Sequence, residues 1–115
     1  MGISVAMAVY NGEKYIEEQI LSILKQLKCN DELVISYDKS TDGTYRIISD
    51  LAVRDSRIKI FSGPSLGVVK NFENALRNCK NDYIFLSDQD DIWLDGKIHN
   101  VIKTFKSTHA DLILH

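Results

Sequence analysis

At 115 residues, with 44% hydrophobic and 26% charged side chains, the chain has the make-up of one soluble globular domain or a part of one. Its formal charge of -2 and its scattered basic residues leave no electrostatic footprint for nucleic acid or for an anionic membrane surface. It shows no low-complexity tract and no internal repeat.

Ile3 to Tyr10 is continuously apolar and stops at Asn11-Gly12, which predicts a strand buried on both faces and therefore central in its sheet. The run is too short to span a membrane, and no leader-type cleavage site follows it. From Glu13 the spacing turns helical, with Ile16, Ile20, Ile23, Leu24 and Leu27 on one face and Glu17, Glu18, Lys25 and Lys28 away from it. Glu32 to Tyr37 reads as a second strand. Ser40-Thr41-Asp42-Gly43 then supplies side-chain oxygens to cap a helix running through Tyr45, Ile47, Ile48 and Leu51. Arg57 to Phe61 is a third strand, and Ser62-Gly63-Pro64-Ser65 breaks it. Val68, Val69, Phe72, Ala75, Leu76 and Cys79 mark a third helix, Asp82 to Ser87 a fourth strand, Leu94, Ile98, Val101, Ile102 and Phe105 a fourth helix, and Asp111 to His115 a fifth strand.

This alternation predicts an α/β fold: a Rossmann-like, mostly parallel sheet with helices on both faces and right-handed crossovers. Cys29 and Cys79 lack any C-x-x-C spacing and read as reduced, partly buried thiols. A cytoplasmic location is expected. His99, His109 and His115 have no ligand spacing and are given no chemistry.

In such sheets ligands bind beyond the carboxyl ends of the strands, where strand order reverses. Tyr10-Asn11 leaves the first strand, Asp38 with Ser40 the second, and Asp88-Gln89-Asp90-Asp91 the fourth. With a strand order of 3-2-1-4 these exits line one crevice. Two carboxylates about 5 Å apart repel by roughly 3 kcal/mol at an effective dielectric near 20, and a divalent cation reverses that penalty. Carboxylate oxygens suit Mg²⁺ or Mn²⁺, and Mg²⁺ is commonly shared between protein carboxylates and substrate phosphates. The same cluster would also serve as a solvated turn ahead of a helix. The first strand exit, Asn11-Gly12-Glu13-Lys14, has neither glycine-rich phosphate signature, which disfavours dinucleotide dehydrogenases and P-loop NTPases. A diphosphate bound without such a cradle can be neutralised through a metal at the acidic exit.

Four motifs in this order resemble the amino-terminal half of family 2 glycosyltransferases: Val9-Tyr10-Asn11, Ser40-Thr41-Asp42-Gly43-Thr44, Gly67 through Asn71 to Leu76, and Asp88-Gln89-Asp90-Asp91 with Trp93 and Lys97. The last is similar to the rhamnosyltransferase-like branch. The resemblance implies a GT-A-type domain whose residues 1–115 are the nucleotide-diphosphate-sugar-binding part. It implies that Tyr10, Asn11, Asp38, Ser40 and Asp88 face the nucleotide, with Asp38 accepting from the base edge. Asp88 and Asp90 would hold a divalent cation, Mn²⁺ or Mg²⁺, with Asp91 orienting the site from behind. Tyr37 and Lys39 depart from the family pattern, which has an acid and a glycine there.

The expected activity is inverting, metal-dependent transfer of a sugar from a nucleotide-diphosphate donor to a hydroxyl acceptor, sugar or lipid-linked. The expected context is cell-surface polysaccharide or glycoconjugate synthesis, in the cytoplasm or peripheral to the inner face of the membrane. No catalytic base is assigned. The chain is expected to be truncated, with its acceptor half absent, so that alone it binds donor without transfer and self-associates through Leu112, Ile113 and Leu114. The alternatives are a non-catalytic nucleotide-binding or regulatory module and, less favoured, a receiver-like domain. The third strand ends Phe61-Ser62-Gly63, without the acceptor aspartate that a receiver needs.

Overall fold

The structure is a computed structural model that describes residues 2–88 and 112–114, with side chains for residues 2–87. Strands β1 (Ile3–Val9), β2 (Glu32–Tyr37), β3 (Ile58–Ser62), β4 (Tyr83–Asp88) and β5 (Leu112–Leu114) alternate with helices α1 (Ile16–Leu24), α2 (Thr44–Arg54) and α3 (Val68–Arg77). All neighbouring strands pair in parallel, in the order β3-β2-β1-β4-β5. The strand order on which a shared crevice depends is thus present, and β1 is central, as expected, and buried along its whole length. The expected fourth helix and the three histidines lie outside the described residues.

Period-two alternation along β1 separates two cores. Ile3, Val5, Met7 and Val9 join Ile16, Ile20 and Ile23 of α1, Ile48 and Leu51 of α2, and Leu33, Ile35 and Phe85 of the flanking strands. Ala6 faces the other way, where it meets Val34 and Ala75 of α3, with Phe61, Leu76, Cys79, Ile84 and Leu86 around them. Small residues at Ala6 and Ala75 let α3 approach the sheet closely. Helices therefore cover both faces. Among the described residues, no helix is long and apolar enough to cross a membrane.

Some expectations shift in detail. The third and fourth strands each begin and end one residue later than expected. Asp42, within the stretch expected to cap α2, does supply the capping oxygen, although the cap position itself is Gly43: Asp42 Oδ1 accepts the Thr44 N–H at 3.0 Å. Cys29 is exposed rather than partly buried, whereas Cys79 is partly buried as expected. Burial, reinforced by the Glu32 charge, pushes the Cys79 thiol up to about 12, so it stays protonated and unreactive at neutral pH.

The amino-terminal pole of the sheet is closed by buried polar groups. Glu32 Oε2 accepts from the Ser4 hydroxyl at 2.6 Å and from the Lys80 N–H at 2.7 Å. Asp31 accepts from the N–H groups of Ile3 (2.9 Å) and Lys28 (2.7 Å). The Asn81 amide donates to the carbonyls of Ile3 (3.0 Å) and Asn30 (3.2 Å). Each of these buried carboxylates is held by at least two donors, which offsets the cost of burying it.

Candidate functional site

The carboxyl ends of β2, β1 and β4 lie abreast. Ser36 pairs with Ala8, and Ala8 with Asp88, so the β2 and β4 exits stand about 10 Å apart on either side of β1. The connection from β3 crosses β1 to reach β4, which makes the β1/β4 boundary the point where strand order reverses. Of the residues expected at the site, Tyr10, Asn11, Asp38, Ser40 and Asp88 all fall at these exits. Asp88 is described in its backbone alone, and Asp90 and Asp91 lie outside the described residues. Among the described residues, no group of three His, Cys, Asp or Glu side chains could hold a metal ion.

The β1 and β2 exits are clasped together by short polar side chains. The Asn11 N–H donates to Ser40 Oγ at 2.9 Å, and Asn11 Oδ1 accepts the Thr41 N–H at 2.9 Å. The Ser40 hydroxyl also donates to the Asp38 carbonyl at 3.1 Å. Gly12 N–H donates to Thr44 Oγ1 at 2.9 Å, and Glu13 N–H to Asp42 Oδ2 at 3.3 Å. The Thr44 hydroxyl donates to Asp42, and with the N–H groups of Thr44 and Glu13 it holds this carboxyl below the usual range despite the opposing effect of desolvation. Asn11 adopts a left-handed φ of 49°, which Asn tolerates better than most residues. Ser40 and Asn11 thus spend hydrogen bonds on fixing the crevice wall.

Tyr10 stands exposed at the β1 exit. Tyr37, where an acid was expected from the family pattern, accepts the Ser40 N–H on its hydroxyl at 2.9 Å and packs its ring 5.1 Å from that of Tyr45. The tyrosine therefore braces the turn. Lys39 points to solvent.

Asp38 is only 6% exposed. Its N–H donates to the Val9 carbonyl at 2.9 Å, and its Oδ1 accepts the Ser65 N–H at 2.8 Å from the β3–α3 turn. Beneath it lies a buried amide network. Asn71 Oδ1 accepts the Ser36 hydroxyl at 2.6 Å, while its Nδ2 donates to the Val9 carbonyl at 3.3 Å. The Asn74 amide donates to Ser36 Oγ and to the Ser62 carbonyl, both at 2.9 Å. Sequence reasoning assigned no site role to Gly63, Ser65 or Asn74, and took Asn71 only as part of a motif. The available signal was an Asn at position 71, three residues after Val68 and four before Ala75, on the apolar face of α3.

With this geometry in place, comparison with known proteins is informative. Residues 4–115 match the family described as Glycosyl transferase family 2. The chain is 42% identical over 113 residues to dTDP-rhamnosyl transferase RfbG of Shigella flexneri, an alignment covering 91% of this chain and 38% of that protein. It is 34% identical over 97 residues to the Escherichia coli UDP-Glc:alpha-D-GlcNAc-diphosphoundecaprenol beta-1,3-glucosyltransferase WfgD, covering 84% of this chain and 38% of the relative. Among solved structures, S. aureus TarS 1-349 superposes with a TM-score of 0.82 at 28% identity, over 96% of this chain and 34% of TarS. The same protein in complex with UDP-GlcNAc gives a TM-score of 0.78, over 96% of this chain and 33% of that one. The chain spans less than half the length of each of these relatives. Parallel order β3-β2-β1-β4, the clasped exits and this match over nearly the whole chain agree: the chain belongs to glycosyl transferase family 2.

Proposed function

We propose that the chain is the donor-binding part of an inverting glycosyltransferase that moves a sugar from a nucleotide-diphosphate donor to a sugar or lipid-linked hydroxyl. The proposed setting is cell-surface polysaccharide or glycoconjugate synthesis in the cytoplasm, peripheral to the inner face of the membrane. The observation that carries this reading is Asp38, a carboxylate buried at the β2 exit beside β1, with one oxygen already fixed by the Ser65 N–H. A second oxygen is then left for the N–H of a base. The exposed ring of Tyr10 offers an aromatic face beside it. Asn11, Ser40, Thr41 and Asp42 keep the two loops from spreading.

The residue types fit a divalent cation: Asp88 ends the strand beside β1, Asp90 and Asp91 follow it in the sequence, and carboxylates are the hard oxygen ligands such an ion takes. Asp88 and Asp90 are the residues assigned to it. When bound, such an ion neutralises the diphosphate and so stabilises the leaving group. The named relatives agree with a nucleotide-activated donor, since RfbG is called a dTDP-rhamnosyl transferase and TarS was solved with UDP-GlcNAc.

The test is a calorimetric panel of UDP, dTDP and GDP, each titrated with Mn²⁺ and again in EDTA. Binding of at least one nucleotide in Mn²⁺ and its loss in EDTA is the expected result. No binding under either condition refutes donor recognition, and equal affinity in EDTA refutes the metal.

A further inference from the structure

We propose that the β3–α3 turn, through Gly63 and Ser65, positions the Asp38 carboxylate and thereby sets base selectivity; the inference rests on the donor-binding reading above. A carboxylate on a loop ordinarily samples several rotamers, and either oxygen can face a ligand. Asp38 is held differently. Its Oδ1 accepts the Ser65 N–H at 2.8 Å, and that N–H is aimed by a turn in which Ser65 has φ 56° and Gly67 φ 99°. The turn is itself tied to the end of β2, since the Gly63 N–H donates to the Tyr37 carbonyl at 2.7 Å.

Gly63 is required for space rather than for backbone freedom, because its φ is not positive. A Cβ at this position would overlap both Asp38 Oδ1 and Asn71 Oδ1. The Asn71 oxygen has little room to yield, since it is held by the Ser36 hydroxyl. The Asp38 carboxylate would therefore have to leave the Ser65 N–H. In the observed arrangement Oδ2 accepts no hydrogen bond from the described residues, and it is the oxygen left for a ligand. An acceptor-only oxygen favours uracil or thymine, which present an N–H at N3, over cytosine, whose N3 is itself an acceptor. Gly63 and Ser65 act through Asp38 and are positioning residues.

The experiment uses the full-length protein with Mn²⁺ and titrates UDP, dTDP and CDP into wild type, Gly63→Ala, Asp38→Ala and the double variant. Wild type should prefer the better of UDP and dTDP to CDP by about tenfold or more, the range of a charge-assisted hydrogen bond. Gly63→Ala should collapse that ratio, and the double variant should bind no more weakly than Asp38→Ala alone. A turn that mattered only for folding would weaken all three nucleotides in proportion and add its effect to that of Asp38→Ala; either result overturns the proposal. If Gly63→Ala does not fold, Asp38→Glu gives the same reading, because the longer side chain cannot keep the Ser65 bond and Oδ2 in place together; a retained ratio overturns the proposal. Wild-type binding of UDP or dTDP without discrimination against CDP overturns it while leaving donor binding intact. Failure of all three nucleotides to bind removes the donor-binding reading itself.

Discussion

Replacing Asn71 with Ala tests whether the amide network beneath the crevice holds the strand exits together. Asn71 is 1% exposed, accepts from the Ser36 hydroxyl and donates to the Val9 carbonyl. The Val9 carbonyl keeps the Asp38 N–H, so it is not abandoned. The Ser36 hydroxyl fares worse: fully buried, it keeps the Asn74 amide as a donor but has no acceptor for its own proton. Two neutral hydrogen bonds at about 1 kcal/mol each, together with a penalty of about 1–3 kcal/mol for an orphaned buried donor, give a loss of about 3–5 kcal/mol. Urea unfolding should show the midpoint falling with the slope unchanged. Ser36→Ala on top of Asn71→Ala removes the orphaned proton, so the double variant should be more stable than the sum of the singles by about 1 kcal/mol. A single-variant loss under about 1 kcal/mol, or strict additivity, would refute this account of the network.

Asp90→Ala should abolish the Mn²⁺ dependence of nucleoside diphosphate binding; calorimetry in which Mn²⁺ still strengthens binding as in wild type contradicts the ligand assignment. Ile20→Ala, at a fully buried α1 position, should cost about 2–5 kcal/mol of stability in chemical unfolding. Arg57 hydrogen-bonds Asp55 at 2.6 Å and holds its carboxyl below the usual value. The folded-state value is thus depressed, so the stabilisation is present above the unfolded value near 3.8 and is lost as pH falls through the folded one. Asp55→Asn should accordingly narrow its stability gap to wild type on acidification below about pH 4, and a gap that stays constant there contradicts the coupling.

The strands and helices were legible because their signals are local. Ile16, Ile20 and Ile23 announce α1 by spacing alone, and the unbroken run Ile3–Val9 announces a central strand. The exits bearing Tyr10, Asp38 and Asp88 followed from the strand ends, whereas strand order entered the sequence reading only as a condition, which the parallel pairing meets. What was not legible depends on partners distant in sequence. Asp38 meets Ser65 across 27 positions, and Asn71 meets Val9 across 62. No periodicity encodes such pairs. The burial of Asp38 was hidden for the same reason, since an isolated Asp before a helix looks like an ordinary turn residue. The exposure of Cys29 went unseen because a small side chain in a turn between α1 and β2 carries no periodic signal.

The closed amino-terminal pole has a consequence for the opposite end. Asp31, Glu32 and Asn81 fix where β1 and the α3–β4 connection begin, and β1 then runs seven residues, roughly 23 Å, to its exit. A strand anchored at its origin behaves as a ruler: residues along it reach fixed marks, and Tyr10 and Asp38 emerge level because their strands start level. The hydrogen bonds between the exit loops then hold an alignment that the strands have already set. Conversely, a slip of one residue at the anchored end would exchange the side chains of β1 between the two cores and carry the exit out of line with its neighbours. The polar knot farthest from the crevice thus calibrates it.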